Sequence, residues 1–286
     1  MKLNKEDKKG LVLFSLQNDA SANIMNHLHK DWKWQKEDEA NYFFSACGDK
    51  DGCTVFLAKG EDEEIIKIEP RENADYYLYA STHKSEKEMP ALTAHFPGNW
   101  ASADFGGQTS TLNIAFACKL KQILKFMKEG ADENGLNWQI NMEVDHHGPT
   151  PQNGKKKLIF VEIGSGEKEW KNEVAGKIVA AAIMKSLARK APVYDTYLGI
   201  GGGHYTPKFS EYVLGKKLLD GKEIAISHIL PKHRVDEIDS KMLLQAMQKS
   251  VEPIKGALID HKGLNKEQRE KIIGMLEKEK IEYKKV

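Results

Sequence analysis

The chain has little cysteine and no long apolar stretch, and both shortages exclude classes of protein. Its three cysteines, Cys47, Cys53 and Cys118, form no CxxC pair and are odd in number. Neither a disulfide framework nor a zinc ribbon is therefore predicted, and reduced structural thiols are expected. No stretch approaches the roughly 18 apolar residues needed to span a bilayer, and no apolar region follows the charged N-terminal segment. We therefore expect a cytoplasmic protein with no membrane partner.

Net charge is also nearly absent, so charge gives no global indication of a partner. The chain has 43 Lys and Arg residues against 42 Asp and Glu residues, a formal net charge of +1. Any RNA contact would therefore need a local basic face. Two short basic runs, residues 155–157 and 232–234, could meet phosphates. Solvated surface lysines are the more common alternative.

The composition indicates a well-packed globular protein. Hydrophobic residues make up 40% of the 286 residues and charged residues 30%, which excludes a disordered chain. This length allows one large α/β domain or two smaller domains, because length is only a soft guide to domain number. We take residues 1–286 as a single domain.

Strand-like and helix-like segments alternate along the chain and predict an α/β protein with helices on both sides of a sheet. The predicted strands are residues 11–17, 53–58, 64–68, 76–80, 138–144, 157–161, 194–198, 223–226 and 257–259. The predicted helices are a segment opening at Ser21, residues 111–129 with Gly130 as the stop, 167–190, 242–247 and a last helix from Asn265. Gln268 is placed to complete a capping box with Asn265. Residues 75–107 lack periodicity and predict a functional loop.

Six of the ten histidines lie at predicted strand ends or in loops. They are His83, His95, His146, His147, His204 and His228. In open α/β sheets, ligands bind outside the carboxyl ends of the strands, so these imidazoles could converge on one crevice. Neighbouring side chains of a strand point to opposite faces, so His146 and His147 would serve one ion together only where the strand has already turned. We expect at least one of these two to act in the site.

A glycine run follows the predicted strand 194–198, in the sequence LGIGGGHY of residues 198–205. Glycines allow close backbone approach and φ values that other residues avoid. Successive N–H groups in such a run can bind a phosphate or a developing oxyanion. The run matches neither the dinucleotide fingerprint nor the P-loop lysine motif, and a tight turn without function is an equally open alternative.

Three further residues each have a functional and a structural interpretation. Trp100 could stack on a base or an amino-acid side chain, or it could be a core anchor with a bonded indole N–H. Glu162, at a predicted strand end, could bind a metal or an amine. Ser165 is most simply the N-cap of the helix that follows, and the GxSxG nucleophile elbow is absent, so serine catalysis is not predicted.

The motifs taken together resemble the archaeal D-aminoacyl-tRNA deacylase family, which includes the plant ethanol-tolerance homologues. The matching segments are STHKS (81–85), PALTAH (90–95) with GNW (98–100), HHGPT (146–150), EIGS (162–165), LGIGGGHY (198–205) and HILPK (228–232). The resemblance runs from Asn23 nearly to the C-terminus. The glycine-rich segment is its most specific part.

The resemblance implies a monomeric three-layer α/β/α sandwich with a central mixed sheet, similar to phosphorylases and peptidyl-tRNA hydrolase. It also implies bound zinc and hydrolysis of D-aminoacyl-tRNA to D-amino acid and tRNA, with no DNA partner. The candidate metal ligands within its motifs are His83, His95, His146, His147, Glu162, His204 and His228, of which a subset is expected. The candidate catalytic residues are His95, His147, His204, Gly202 and Gly203. The candidate substrate-binding residues are Trp100, Thr150 and Lys232.

The expected mechanism places an activated water against the ester carbonyl while amides of the glycine run stabilise the oxyanion. Because an aminoacyl ester is already activated, positioning can supply most of the catalysis. Two alternatives stay open. One is a zinc-dependent peptidase or amidohydrolase that uses the same histidines on an amide, and the other is a non-catalytic RNA-binding protein whose histidines are structural.

Overall fold

The computed structural model describes residues 10–15, 17–31, 35–38, 43–47, 54–60, 74–84 and 89–286. The predicted strand 64–68 lies outside these residues. The chain divides into two compact units with interleaved segments. Unit 1 takes segments 1–93, 126–140 and 157–190, and unit 2 takes segments 94–125, 141–156 and 191–286. The single domain over residues 1–286 stays a prediction.

Strands and helices alternate along most of the described chain, which confirms the α/β class. In chain order the strands are β1 (Gly10–Ser15), β2 (Gln35–Asp38), β3 (Phe43–Cys47), β4 (Thr54–Gly60), β5 (Tyr76–Thr82), β6 (Ala91–His95), β7 (Gly98–Asn99), β8 (Thr111–Leu112), β9 (Gln139–Met142), β10 (Leu158–Gly164), β11 (Asp195–Ile200), β12 (Ile224–Leu230), β13 (Ile254–Ile259) and β14 (Tyr283–Lys285). The helices are α1 (Asp19–Asp31), α2 (Ala117–Glu133), the short α3 (Pro151–Gly154), α4 (Glu167–Trp170), α5 (Glu173–Leu187), α6 (Pro207–Val213), α7 (Ser240–Gln248) and α8 (Lys266–Lys278). A short 3-10 helix covers Lys232–Arg234.

The larger sheet is mixed and has the strand order β2-β3-β4-β1-β5-β10-β6-β9. Strand β1 pairs parallel with β4 and β5, and β5 pairs parallel with β10, whereas β3 is antiparallel to β4. Alternate residues of β1, β5 and β10 form one apolar cluster of unit 1. Within it the rings of Tyr79 and Phe160 stack with centroids 4.6 Å apart. Such fully buried parallel strands are nearly continuous apolar runs in sequence.

A second sheet, wholly in unit 2, has the order β12-β11-β13-β14 with all pairs parallel. Its core contains Leu198, Ile200, Leu230 and Ile259 together with side chains of α7 and α8. Because the strands are parallel, the segments that follow β11, β12 and β13 leave the sheet at the same edge. The glycine run and the 3-10 helix are two of these segments.

The helix ends show where tertiary contacts overrode the sequence pattern. Helix α2 begins at Ala117, where the Glu252 carboxylate accepts the amides of Ala117 and Cys118 at 3.0 and 3.1 Å. It continues past Gly130 to Glu133. A Cβ at Gly130 would lie 3.1 Å from Ile178 Cγ2, so this glycine allows close packing of α2 and is not a stop. The predicted start at residue 111 and end at residue 129 are therefore wrong.

The predicted helix 167–190 is divided in two by Asn172. The Asn172 side chain accepts the amide of Ala175 at 2.9 Å and caps α5, which ends the preceding turn. Val174, in the first turn of α5, is exposed. Ser165 is not the cap of α4, because Gly166 takes that position and the Ser165 hydroxyl donates to the Met89 carbonyl oxygen at 2.7 Å.

Residues 75–107 are not one loop, because they include all of β5, β6 and β7. Every residue of β6 is buried, and a strand buried on both faces has no alternation for a sequence pattern to detect. The capping box of α8 is confirmed: Asn265 accepts the Gln268 amide at 2.8 Å and Gln268 accepts the Asn265 amide at 3.3 Å. No helix in the described ranges is long and apolar enough to cross a membrane.

Candidate active site

The site of unit 2 is formed around Glu143, the residue that follows β9. Its amide donates to the Ala94 carbonyl oxygen at 3.1 Å, and the next amide, that of Val144, donates to the His204 carbonyl oxygen at 3.3 Å. These bonds hold the end of β9 between the end of β6 and the glycine run. The Glu143 side chain is 0% exposed.

Three imidazoles surround the Glu143 carboxylate. Its Oε2 atom lies 3.2 Å from His204 Nε2, 3.7 Å from His95 Nδ1 and 3.8 Å from His146 Nε2. A buried carboxylate is costly unless other polar groups replace water, and these imidazoles are the polar groups closest to it. We call Glu143, His95, His146, His147 and His204 the histidine cluster.

His147 joins the cluster because the chain has turned after His146. Its φ is 51°, in the left-handed region, and its Nε2 lies 3.2 Å from His95 Nε2. The rings of His146 and His147 are 4.5 Å apart and inclined at 75°. Both neighbours therefore reach one site, which the alternation of a regular strand would have prevented.

Backbone carbonyls set the tautomers of these two imidazoles. His146 Nδ1 is 2.8 Å from the Val144 oxygen, and His147 Nδ1 is 2.6 Å from the Gly148 oxygen. A carbonyl oxygen only accepts, so Nδ1 carries the proton in each ring and Nε2 carries the lone pair. This arrangement, with one ring nitrogen held by a carbonyl, is typical of metal-ligating histidines.

Burial keeps the imidazoles of His95 and His146 neutral. It holds the pKa of both side chains well below 6.5, and the neighbouring imidazoles lower each pKa further, while Glu143 acts in the opposite direction. The ligand atoms of His95, His146 and His147 all lie within 4.8 Å of one another. Neutral imidazoles at this spacing are the form and arrangement that zinc binds.

Two other predicted ligands, His83 and Glu162, contact each other in unit 1. His83 follows β5 and Glu162 lies in β10, and the two strands pair in parallel. His83 Nδ1 is 3.7 Å from Glu162 Oε2, with both side chains buried. The His83 carbonyl oxygen accepts the Trp170 indole N–H at 2.9 Å.

His228 contacts a different carboxylate from the one at the centre of the cluster. It is fully buried, with Nδ1 3.3 Å from Asp145 Oδ2 and Nε2 2.8 Å from the Lys249 carbonyl oxygen. The same Asp145 oxygen accepts the Ile229 amide at 2.8 Å. Burial raises the pKa of Asp145, and His228 opposes that shift. The pair fixes β12 to the segment that carries His146 and His147.

The three candidate substrate-binding residues lie in different surroundings. Trp100 is 2% exposed, and its indole N–H donates to the Ile229 carbonyl oxygen at 3.1 Å, as expected of a core anchor. The Thr150 hydroxyl accepts the Gln108 amide at 2.7 Å. Lys232 is exposed, and its amide donates to the Gly202 carbonyl oxygen at 3.0 Å.

The glycine run has the backbone freedom that its sequence predicted. Gly201 has φ +103° and Gly202 has φ +90°. The Gly201 amide donates to the Leu230 carbonyl oxygen at 2.8 Å, whereas the amides of Gly202 and Gly203 make no hydrogen bond among the described residues. Both residues are partly exposed. Two N–H donors next to His204 thus remain available to a ligand.

Glu143 is the one member of the histidine cluster that the sequence patterns did not indicate. It stands three residues before the HHGPT motif, as the first residue of the segment EVDHHGPT. Glu162, by comparison, is a candidate because it stands at the end of a predicted strand. The same reasoning applies to Glu143, so its position at the end of β9 was the signal available.

Comparison with known proteins gives consistent matches. A family model described as D-aminoacyl-tRNA deacylase matches residues 70–284, which include every motif quoted above. A D-aminoacyl-tRNA deacylase of Pyrococcus furiosus is 38% identical over 210 residues, 73% of this chain and 72% of that protein. One of Methanosarcina mazei is 32% identical over 284 residues, 96% of this chain and 91% of that protein. The crystal structure of a conserved protein of unknown function, AF0625, shares the fold, with a TM-score of 0.81 and 24% identity over 97% of this chain and 95% of that one.

Proposed function

The chain belongs to the D-aminoacyl-tRNA deacylase family, and we propose that the histidine cluster is the centre at which it hydrolyses the ester of D-aminoacyl-tRNA. The observation that supports this centre most strongly is the buried Glu143 carboxylate within 3.2 to 3.8 Å of three imidazoles. Such groups are assembled at catalytic sites because they can hold and move a proton.

His204 is proposed as the general base. It is the most exposed imidazole that contacts Glu143, with 42% of its side chain open to solvent, so water and substrate can reach it. Glu143 Oε2 lies 3.2 Å from His204 Nε2, so in this proposal the proton stays on Nε2, next to the carboxylate, and the lone pair on Nδ1 takes a proton from water. The carboxylate also stabilises the imidazolium that forms as the proton moves.

The amides of Gly202 and Gly203 are proposed to stabilise the oxyanion that develops on the ester carbonyl. Nearby Asp260 would oppose an anion if its charge were uncompensated. Its Oδ1 atom lies 2.5 Å from Lys208 Nζ, so that charge is paired. The positive φ of Gly202 aims its backbone in a direction that a residue with a Cβ adopts only with strain.

Zinc is proposed as the resident metal, held by His95, His146 and His147. The residues fit this ion, because their ligand atoms lie within 4.8 Å and burial keeps His95 and His146 neutral. When bound, zinc would supply Lewis-acid polarisation of the ester carbonyl oxygen. Of the other predicted ligands, His83 and Glu162 pair with each other, and His228 pairs with Asp145.

Enantiomeric substrates test the activity. The purified protein is incubated with D-tyrosyl-tRNA, L-tyrosyl-tRNA and a D-aminoacyl peptide, and released amino acid is measured. We expect fast release from D-tyrosyl-tRNA alone. Equal rates on the two tRNA esters contradict chiral selection, cleavage of the peptide without dependence on tRNA favours a peptidase, and binding without release favours an RNA-binding protein.

Metal removal tests the role of zinc. Metal analysis of the purified protein should find zinc, and mild chelation should abolish turnover until zinc is returned. Chelated protein that keeps full activity would exclude zinc catalysis and leave the cluster with acid–base chemistry alone. The variant His147→Gln should lower the zinc content while the fold, followed by circular dichroism, is kept.

The family resemblance further leads us to propose that the protein acts as a monomer in the cytoplasm, where aminoacyl-tRNA is used. Sedimentation equilibrium over a hundredfold range of protein concentration tests the first part. A mass above that of one chain at working concentration would contradict it.

A further inference from the structure

Phe105 is exposed beside the histidine cluster. Its side chain is 68% open to solvent, and it is the only aromatic ring among the large apolar side chains exposed in the described ranges. An exposed phenylalanine on its own needs no explanation. The backbone around this one, however, is held in place by several specific contacts.

We call residues 101–107 the Phe105 loop. The Asn99 side-chain amide donates to the Gly106 carbonyl oxygen at 2.9 Å and to the Gln108 carbonyl oxygen at 3.2 Å. Gly106 and Gly107 have φ of +83° and +82°, and a Cβ on Gly107 would lie 3.0 Å from Gly148 Cα. The loop is thus packed closely against its neighbours, and its two glycines allow the left-handed backbone conformation that this packing requires.

Two contacts place the loop at the cluster. On one side, the Phe105 carbonyl oxygen accepts the amide of Gly148, the residue next to His147, at 3.2 Å. On the other side, Arg234 donates to Ser102 Oγ at 2.9 Å and to Asp104 Oδ2 at 2.6 Å. Arg234 belongs to the 3-10 helix whose Lys232 amide bonds to Gly202. The loop is therefore tied to the segments that carry His147 and His204.

We propose that Phe105 is the stacking platform for the terminal adenine of the tRNA. This inference rests on the proposed function, because the ester bond is carried by the ribose of that adenosine. Only the ribose then separates the base from the reacting carbonyl. Phe105 is similarly near His147, because its carbonyl oxygen accepts the amide of Gly148, the next residue in the chain. The phenyl ring offers a face on which any base can stack.

The adenine is a better match than the amino-acid side chain. Every tRNA ends in the same nucleoside, whereas the amino acid varies in size and polarity. An aromatic ring on a tightly held loop suits a constant planar partner, since stacking needs a matching face and little adjustment. A ring exposed on a fixed backbone also loses little conformational entropy when the base arrives.

Kinetics with two small D-esters test the proposal. The substrates are 2′(3′)-O-D-tyrosyl-adenosine, which has the base, and D-tyrosine methyl ester, which lacks it. The variant Phe105→Ala should raise KM for the adenosine ester roughly tenfold, as expected for one lost base stack, with kcat within about twofold. Kinetics on the methyl ester should equal those of wild type. Phe105→Trp should restore the low KM.

Val193→Ala is the matched control for loss of an exposed apolar side chain. Val193 is 85% exposed and lies before the first residue of β11. His204 lies after the last residue of β11, so the two residues flank opposite ends of this strand. This variant should leave both KM values unchanged. Because both positions are exposed, neither substitution should change the melting temperature.

Two results would overturn the proposal. An unchanged KM of Phe105→Ala for the adenosine ester would show that the ring contacts no base, and an equal loss on both esters would place it against the amino acid. Binding of adenosine 5′-monophosphate, measured by calorimetry, tests the stack without catalysis. If wild type cleaves neither D-tyrosyl-tRNA nor these esters but its nucleotide binding requires Phe105, the proposed function fails and the stacking platform stands.

Discussion

A buried carboxylate with three imidazole neighbours makes Glu143 the residue on which the site depends most. An isolated buried charge costs several kcal/mol, and removing one partner of a buried pair leaves the other uncompensated. The carboxylate and the imidazoles of His95, His146 and His204 therefore act as one coupled group. Substitutions within it should not have additive effects.

Replacement of Glu143 by glutamine should reduce kcat while the protein stays folded. Glutamine keeps the size and one acceptor, but it has no charge to stabilise the imidazolium on His204. We expect kcat on D-tyrosyl-tRNA to fall on the order of a hundredfold or more, as when acid–base catalysis is lost. The kcat of His204→Ala should fall comparably. The kcat of the double variant should be little lower than that of His204→Ala alone.

Glu211→Gln is the control for the loss of one carboxylate in the same unit. Glu211 pairs with Lys217 at 2.5 Å at the surface, so its neutralisation should leave kcat unchanged. If the losses of Glu143→Gln and His204→Ala multiply in the double variant, the two residues act independently, and His204 takes its proton without help from Glu143.

The strand β11 and the glycine run after it show how an element positions donors. The strand is paired on both sides, so its carboxyl end is fixed and the chain must leave the sheet sharply. Positive φ values at Gly201 and Gly202 make that exit possible. The run leaves the amides of Gly202 and Gly203 without a hydrogen bond among the described residues, and donors placed before the substrate arrives are what oxyanion stabilisation needs.

Gly202→Ala and Gly203→Ala distinguish backbone conformation from added bulk. A Cβ at Gly202 has no contact closer than 3.8 Å, so its penalty comes from φ +90°, whereas Gly203 has open space and no positive φ in the restricted range. Gly202→Ala should lower kcat roughly a hundredfold, the usual effect of losing one oxyanion donor. Gly203→Ala should lose far less. If both variants turn over substrate as fast as wild type, the glycine run is an ordinary turn.

Helix α8 offers a test of a purely local element. Asn265→Ala removes the cap and leaves the Gln268 amide without its side-chain acceptor, so the free energy of unfolding should fall by about 1 kcal/mol. Asn265→Asp keeps an acceptor and should stay near wild type. Denaturant unfolding measures both. An alanine variant as stable as wild type would show that α8 is held by its packing alone.

For the molecule as a whole, the depressed pKa values of His95 and His146 couple folding to pH. In the unfolded chain both imidazoles titrate near their ordinary pKa of about 6.5. Between that value and the lower pKa of the folded state, the unfolded chain binds more protons, so acid favours unfolding. The stability that these groups contribute is present above about pH 6.5 and is lost as the pH falls below it.

Metal-free protein should therefore lose stability from about pH 7 to about pH 5, by up to about 1.4 kcal/mol per pH unit for each imidazole. The raised pKa of Asp145 acts in the opposite direction, so the test is the difference between variants. His146→Gln should flatten the dependence of the free energy of unfolding on pH. An identical slope in wild type and variant would show that His146 does not contribute to it.

The sequence by itself determined the features that depend on local residue patterns and on the order of the motifs. The alternation of strand-like and helix-like segments predicted the α/β class, and Asn265 with Gln268 predicted the α8 cap, because each depends on residues within one turn or one strand. The motifs predicted the family, whose model matches residues 70–284. Four of the predicted histidines, His95, His146, His147 and His204, do lie together with Glu143.

Tertiary structure decided the features that depend on residues far apart in the chain. Glu252 set the start of α2, burial on both faces made β6 a strand without alternation, and the left-handed turn at His147 brought adjacent imidazoles to one site. His228 pairs with Asp145, whereas His204 pairs with Glu143. Burial and charge compensation arise from such distant contacts, so the spacing of residues along the chain cannot show which carboxylate each histidine meets.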